Sequence, residues 1–341
     1  MARMNKTVIL SLAGAAAAAG ALGLSRAANG RRSLEGRVAL ITGGSRGLGL
    51  ELARELASHG CALVLTARNE QELTEAATEL RSNGARVQTI PCDLTDPEQV
   101  GRMVDQARQA FGAINILINN AGTIMVGPVD SFTEADFEEA MNVMFWGTVR
   151  PTLALLPDFL ASGDADIVNI SSIGGKIAMP HLLPYTCAKF AVRGFSEGLQ
   201  SEVRRRGVHV LTVTPGLMRT GSYLHAEFAG RQSAEYRWFA LSSTVPGVSM
   251  EVGRAAKQIV DALIRRDREL TVTASANAAS RVHGAFPEIV LHALEWVNAM
   301  LPSPSNNRHR LKGHHLDELQ PALLHAMTAF GKRAAQTQHE I

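Results

Sequence analysis

The sequence predicts an α/β fold, a doubly wound parallel sheet of about seven strands with helices on both faces. Three observations predict it. Short apolar runs recur from Val38 to Thr273 and alternate with amphipathic segments of helical spacing. The runs are apolar throughout rather than every second residue, as strands covered on both faces must be. The first run also passes through a glycine-rich turn into the first amphipathic segment, the order that presents a helix N-terminus to an anion.

The elements follow in order. Val38 to Thr42 is the first strand, and the helix after the turn extends to about His59. Ala62 to Ala67 is the second strand. Asn69 can cap the next helix and Gly84 can end it. Val87 to Ile90 is the third strand. Asp96-Pro97 opens a helix that Gly112 closes, with Pro97 where its missing N–H does no harm. Ile114 to Ile118 is the fourth strand. Thr133 with Asp136 forms a capping box at the start of a long helix. Asp166 to Ser171, Val208 to Val213 and Leu270 to Thr273 complete the strands. Phe286, Ile289, Val290, Ala293, Leu294, Val297 and Leu301 then follow helical spacing. Pro302 to Asn307 reads as a linker, and Leu319 to Arg333 as one more helix. The organisation expected is an N-terminal segment over 1–33, a catalytic domain over 34–280 and a helical extension over 281–341.

Composition narrows the partners. Of 341 residues 46% are apolar, enough for a sizeable core. The net charge of +2 gives no electrostatic case for nucleic acid. Cys61, Cys92 and Cys187 are scattered, without metal or redox spacing, which suits a reducing compartment. Cys187 is expected to pack rather than react. No metal is expected; His309, His314 and His315 lie in a basic stretch that reads as a solvated tail. Val8 to Leu24 is an apolar run flanked by Arg3, Lys6, Arg26, Arg31 and Arg32. A membrane anchor, a cleaved secretory signal and an alanine-rich tail all fit it. The anchor reading puts the folded part at a membrane on its cytoplasmic side, and the runner-up is a soluble cytoplasmic protein.

The chemistry lies in three motifs. Gly43, Gly47 and Gly49, in the turn Thr42 to Gly49, allow a pyrophosphate to approach the helix N-terminus, which makes the fold Rossmann-type. The second strand ends Thr66-Ala67-Arg68 with no carboxylate before Glu70, and Arg46 lies inside the turn. Two guanidinium groups and no acid favour NADP over NAD. Tyr185 and Lys189 are four residues apart, on one face of a helix, and Ser172 precedes the tyrosine by thirteen. An ammonium beside a phenol draws its pKa down from about 10 toward a useful range.

Together these motifs resemble the short-chain dehydrogenase/reductase family. The resemblance covers Leu34 to Val272. It rests on Thr42 to Gly49, Asp93-Leu94, Asn119 to Gly122, Asn169 to Ser172, the Tyr185/Lys189 pair, and Pro215-Gly216 followed by Thr220. It implies an NADP(H)-dependent carbonyl–alcohol oxidoreductase. Gly43, Ser45, Arg46, Gly47, Leu48, Gly49, Arg68, Asp93, Leu94, Asn120 and Thr220 would bind the cofactor with Tyr185 and Lys189. By the resemblance, Asp93 would touch the adenine amine, Asn120 would stabilise the sheet centre and Thr220 would contact the carboxamide. Tyr185 would be the general acid or base, Ser172 would hydrogen-bond the reacting oxygen, and Lys189 would hold the ribose and lower the Tyr185 pKa. One position departs. The family's relay asparagine, three before a glycine, is here Met144 before Gly147, and Asn142 is two residues off.

Gly221 to Val248 is where the family places its substrate lid. Tyr223, Phe228, Tyr236, Trp238 and Phe239 there fit either an apolar pocket for a lipophilic substrate (a steroid, retinoid or lipid) or lid-to-core packing. The helical extension is expected to cover the pocket, build a homodimer interface or meet the membrane. The alternative function is an NADP(H)-binding regulatory or scaffold protein with little turnover.

Overall fold

The structure is a computed structural model and describes residues 32–244, 249–320 and 328–340. Leu34–Ile341 is one compact unit and Met1–Ser33 a separate one. The apolar run Val8 to Leu24 lies outside the described residues. Among the described residues no helix is long and apolar enough to cross a membrane.

The central sheet has the seven strands the sequence calls for. They are β1 (Val38–Thr42), β2 (Ala62–Ala67), β3 (Val87–Pro91), β4 (Ile116–Asn119), β5 (Ala165–Ile170), β6 (Val208–Pro215) and β7 (Glu269–Val272). All pair in parallel, in the order β7-β6-β5-β4-β1-β2-β3. The winding reverses between β1 and β4. That reversal opens a crevice at the strands' C-terminal ends, where open α/β sheets bind ligands.

Side-chain alternation explains why the strands read as continuously apolar. Ala39, Ile41, Leu63 and Leu65 enter one apolar layer, and Val38, Leu40, Ala62 and Val64 the other. The first layer packs on α1 (Gly47–Ser58), α2 (Glu70–Ser82) and α8 (Val252–Ile264). The second packs on α3 (Pro97–Phe111), α5 (Gly147–Ser162) and α6 (Leu183–Val203). The caps form as expected. Asn69 Oδ1 accepts from the Gln71 and Glu72 amides, Asp96 Oδ1 accepts from that of Glu98, and the Thr133/Asp136 box is closed on both sides.

The long helix expected after Thr133 is interrupted. α4 (Glu134–Ala140) runs into a π-helical segment, Met141–Trp146, before α5 begins. The Gly147 amide reaches back five residues to the Asn142 carbonyl. Such wide turns concentrate at functional sites, and this one contains Met144.

The C-terminal extension is not a solvated tail. Leu311–Lys312 pairs antiparallel with Glu227–Phe228, which pairs parallel with Met125–Val126. Arg310 ties this small sheet down, with Glu139 and Glu227 each at 2.8 Å and Asp136 at 3.4 Å. An arginine amid three carboxylates is an anchor, which its basic sequence surroundings concealed. Helices α9 (Ala274–Ala285) and α10 (Pro287–Met300) form a hairpin, and α9 runs across residue 280. A last helix, α11 (Ala329–Thr337), starts later than the helix expected from Leu319, part of which lies outside the described residues.

Candidate active site

The crevice between β1 and β4 gathers the predicted residues. Gly43 takes a positive φ of 63°, and a Cβ there would sit 2.9 Å from Ala121 Cα. A Cβ on Gly49 would lie 2.0 Å from the Gly43 carbonyl oxygen. Only glycine lets the turn fold back onto its own helix. Asn120 locks the turn from β4: its Nδ2 donates to the Thr42 and Gly43 carbonyls at 3.1 and 3.0 Å, and its amide donates to Thr42 Oγ1. Its role is thus to hold the glycine turn. The sheet centre also holds a buried polar chain, in which Asn119 donates to Thr152 and Asn169, Asn169 to Ser196, and Ser196 bonds Thr212.

No side chain caps α1, which leaves its first turn open to an outside acceptor; the Gly47 amide donates to the Gln338 carbonyl at 3.1 Å. These features fit a dinucleotide's pyrophosphate. Leu48 is buried beneath the turn, and Leu94 is buried beside Asp93. One Asp93 oxygen accepts from the amide and hydroxyl of Thr95 at 2.9 and 2.8 Å. Thr220 is buried, with its hydroxyl accepting from the Ser222 amide.

The two arginines are not alike. Arg68 is exposed at the end of β2. Arg46 Nη1 lies 2.6 Å from both carboxylate oxygens of Glu72, which also accepts from Ser45 Oγ at 3.0 Å. An acid therefore does stand beside the turn. It comes from the first turn of α2, three residues past the Asn69 cap, and not from the strand end where the sequence pattern looks for one.

Tyr185 and Lys189 project from α6 toward Ser172 at the end of β5. The Tyr185 ring and the Ser172 hydroxyl meet at Gly174, where a Cβ would sit 3.3 Å from Tyr185 Cε1 and 3.5 Å from Ser172 Oγ, and Ser172 Oγ accepts from the Gly174 amide at 3.0 Å. Ser171 is used otherwise, donating to the Lys189 carbonyl at 2.8 Å. Lys189 Nζ donates to the Ile170 carbonyl at 2.9 Å and stands 5.8 Å from the centroid of the Tyr185 ring.

Within the chain itself two effects on the phenol oppose each other. Burial pushes the Tyr185 pKa up, and the Ser172 hydrogen bond opposes it. Burial also brings the Lys189 ammonium down to about 8. Desolvation, which penalises either charged form, is the largest effect on both groups. Burial therefore favours the neutral phenol.

Met144 is buried on the other side of the same site. A Cβ built on Gly122 would be 3.7 Å from both Met144 Sδ and Lys189 Nζ. The Met144 carbonyl accepts from Thr148 Oγ1 at 2.8 Å. Asn142 instead lines a shallow surface groove with Glu138 and Trp146. It does not stand in for the missing asparagine.

Residues 37–226 match the family pattern described as short chain dehydrogenase. The chain belongs to the short chain dehydrogenase family. It is 36% identical over 248 residues to the putative oxidoreductase SadH of Mycobacterium tuberculosis, covering 72% of this chain and 89% of that protein. A Burkholderia phymatum short chain dehydrogenase/reductase solved with NAD has a TM-score of 0.70 and 26% identity, covering 76% of this chain and 96% of that one. A single-substitution variant of the actinorhodin polyketide ketoreductase, solved with NADPH, has a TM-score of 0.63 and 27% identity, covering 70% and 97%. Solved relatives of this dehydrogenase thus hold either nicotinamide cofactor.

The lid of this dehydrogenase uses its aromatics for packing. Tyr223, Phe228, Tyr236 and Phe239 are buried against one another and against Leu316 and Ala335 from the extension. They are the core of a satellite cluster, not the wall of an open pocket. The lid helix α7 (Gln232–Thr244) is tied to the turn before α6 by a polar cluster that sequence reading missed. Glu235 accepts from Trp238 Nε1 at 2.7 Å and lies 2.9 Å from His181 Nδ1. His181 adopts a positive φ of 59° to make that contact. Among the other side chains, Cys187 is exposed, contrary to expectation, whereas Cys61 and Cys92 are buried and pushed up to about 12 and 11. The two buried thiols are inert by desolvation.

Proposed function

We propose that this oxidoreductase interconverts a carbonyl and an alcohol on a hydrophobic small molecule with NADP(H), using Tyr185 as general acid or base. The observation that carries the reading is the meeting of Tyr185 and Ser172 at Gly174, with buried Lys189 one helical turn along the same helix. The nicotinamide supplies or accepts the hydride. Tyr185 gives its proton to the developing alkoxide, and Ser172 hydrogen-bonds the same oxygen. A protonated, desolvated phenol suits the reductive direction.

Arg46 and exposed Arg68 support NADP, once Arg46 leaves Glu72 for a 2′-phosphate. Ala140, Met144 and Ala188 form a small apolar cluster with Met141, Val143 and Tyr185 packed against it, which supports an apolar substrate. The polyketide ketoreductase relationship supports a ketone. Val8 to Leu24 supports membrane association of the N-terminus. A second reading, NADPH binding with little turnover, is favoured by Met144 at the relay position.

The test is NADPH oxidation against steroid, retinoid and fatty carbonyl compounds and a polar sugar ketone. Tyr185→Phe is expected to lose about 100-fold or more in kcat while still binding NADPH. Equal rates in the two proteins sink the mechanism. Turnover of the sugar alone removes the hydrophobic substrate, and tight binding without turnover selects the second reading.

A further inference from the structure

Helix α10 carries two apolar seams. Val290, Leu294 and Val297 are half-buried, on the side that meets α9. Phe286, Ile289, Ala293, Trp296 and Met300 form a second seam in alternating steps of three and four, the spacing of a helix–helix contact. Phe286 is 58%, Ile289 64%, Trp296 76% and Met300 78% exposed. We propose that this seam is the interface with a second copy of the same chain, packed antiparallel about a two-fold axis at Ala293.

The seam is self-complementary in that register. Phe286 lies seven residues before Ala293 and Met300 seven after it. Ile289 and Trp296 stand four before and three after. An antiparallel copy therefore sets Phe286 level with Met300, and Trp296 within one residue, about 1.5 Å along the axis, of Ile289, twice each, as an isologous interface requires. The smallest side chain falls where the helix axes cross, which lets them approach to about 8–10 Å. The four large side chains expose on the order of 500 Å² per copy, so the pair hides roughly 1,000 Å², the lower bound for a specific interface.

Charge favours a protein over a lipid surface. The polar edge of α10 holds Glu288, His292 and Glu295, and the helix has no lysine or arginine. A helix lying on an anionic membrane carries cations there.

The experiment is sedimentation equilibrium of the full chain, with Trp296→Glu beside it. The wild-type chain is expected to dimerise in the micromolar range, and Trp296→Glu to remain monomeric with an unchanged far-UV circular dichroism spectrum. In a Cys187→Ser background, Ala293→Cys is expected to form a disulfide-linked dimer on oxidation, and Phe286→Cys is not. A monomeric wild-type chain, or a Trp296→Glu chain that dimerises equally, overturns the proposal. So does phosphatidylcholine–phosphatidylserine vesicle binding that Trp296→Glu abolishes, which makes lipid the occupant.

A separate observation concerns the glycine turn. Residues 337–340 lie across it. The Gln338 carbonyl takes the Gly47 amide, and the Glu340 carboxylate takes the Gly221 amide. His225 Nε2 lies 2.9 Å from the Glu340 carbonyl, His339 pairs with Glu79 at 2.9 Å, and Arg54 donates to the Thr337 carbonyl. A Cβ on Gly47 would meet Glu340 Oε1 at 3.0 Å, and one on Gly221 would meet Ala335 and Glu340 at 2.7 Å.

We infer that this segment is a strap that competes with the cofactor's pyrophosphate for the first amide of α1. The inference rests on the dinucleotide reading of the turn. The Gln338 carbonyl uses a donor that a phosphate would use, and the Glu340 carboxylate lies against the same turn. The test is fluorescence titration with NADPH of the full-length wild type, Glu340→Ala and His339→Ala. Both variants are expected to bind roughly five- to ten-fold more tightly, because the strap's share of the closed state falls. Equal affinity in all three proteins overturns the strap. No binding in any of them overturns the cofactor reading instead.

Discussion

Lys189→Met is expected to make the folded chain more stable near neutral pH while removing its turnover. Lys189 is 5% exposed, and burial brings its ammonium from 10.5 to about 8. Each unit is worth about 1.4 kcal/mol, so keeping the charged form inside costs on the order of 3 kcal/mol at neutral pH. Methionine fills a similar volume without charge. Its own penalty is the Ile170 carbonyl, which loses a donor at 2.9 Å, worth about 1–2 kcal/mol. The net gain is on the order of 1–2 kcal/mol. The folded pKa is depressed, so the folded state gives up its proton first. The penalty is therefore full below pH 8, shrinks between pH 8 and 10.5, and is gone above. Urea denaturation at about pH 7 and about pH 9.5 measures it: the advantage of the variant shrinks at the higher pH. A variant less stable than wild type at about pH 7, or an advantage equal at both, refutes the claim that desolvation dominates this lysine.

Three further outcomes are expected. Glu72→Gln releases Arg46 and raises the preference for NADPH over NADH by about ten-fold, read as a ratio of dissociation constants; an unchanged ratio means that Arg46 does not meet the 2′-phosphate. Gly49→Ala places a Cβ 2.0 Å from the Gly43 carbonyl oxygen, which opens the turn. It should cost roughly 1–3 kcal/mol of stability and most NADPH affinity, and wild-type binding by this variant rules the turn out as the phosphate site. Asp166 is fully buried, with Arg37 at 3.1 Å and His209 at 3.2 Å, near the N-terminal end of β5 and away from Ser172. Asp166→Asn should cost about 3–5 kcal/mol in denaturant and leave the NADPH dissociation constant of the remaining folded protein unchanged. A shifted dissociation constant would show that the two ends of the sheet are coupled.

The sheet and the chemistry-bearing positions were legible in the sequence because both are local. Val38 to Thr42 and Ala62 to Ala67 must be covered on both faces wherever they lie, and a glycine turn between strand and helix has few uses. The spacing of Tyr185 and Lys189 is local too, because one helix carries both. Whatever depends on separation in the chain was settled only by packing. Ser45, Arg46 and Glu72 meet because α1 and α2 start at the same edge of the sheet. Arg310 meets Asp136, Glu139 and Glu227, and the lid aromatics close on Leu316 and Ala335, because the extension returns to the lid. Neither contact leaves a periodic trace. The electrostatics of Tyr185 and Lys189 were likewise a matter of packing. Spacing says that an ammonium stands near a phenol, and burial decides which of them bears the cost of charge.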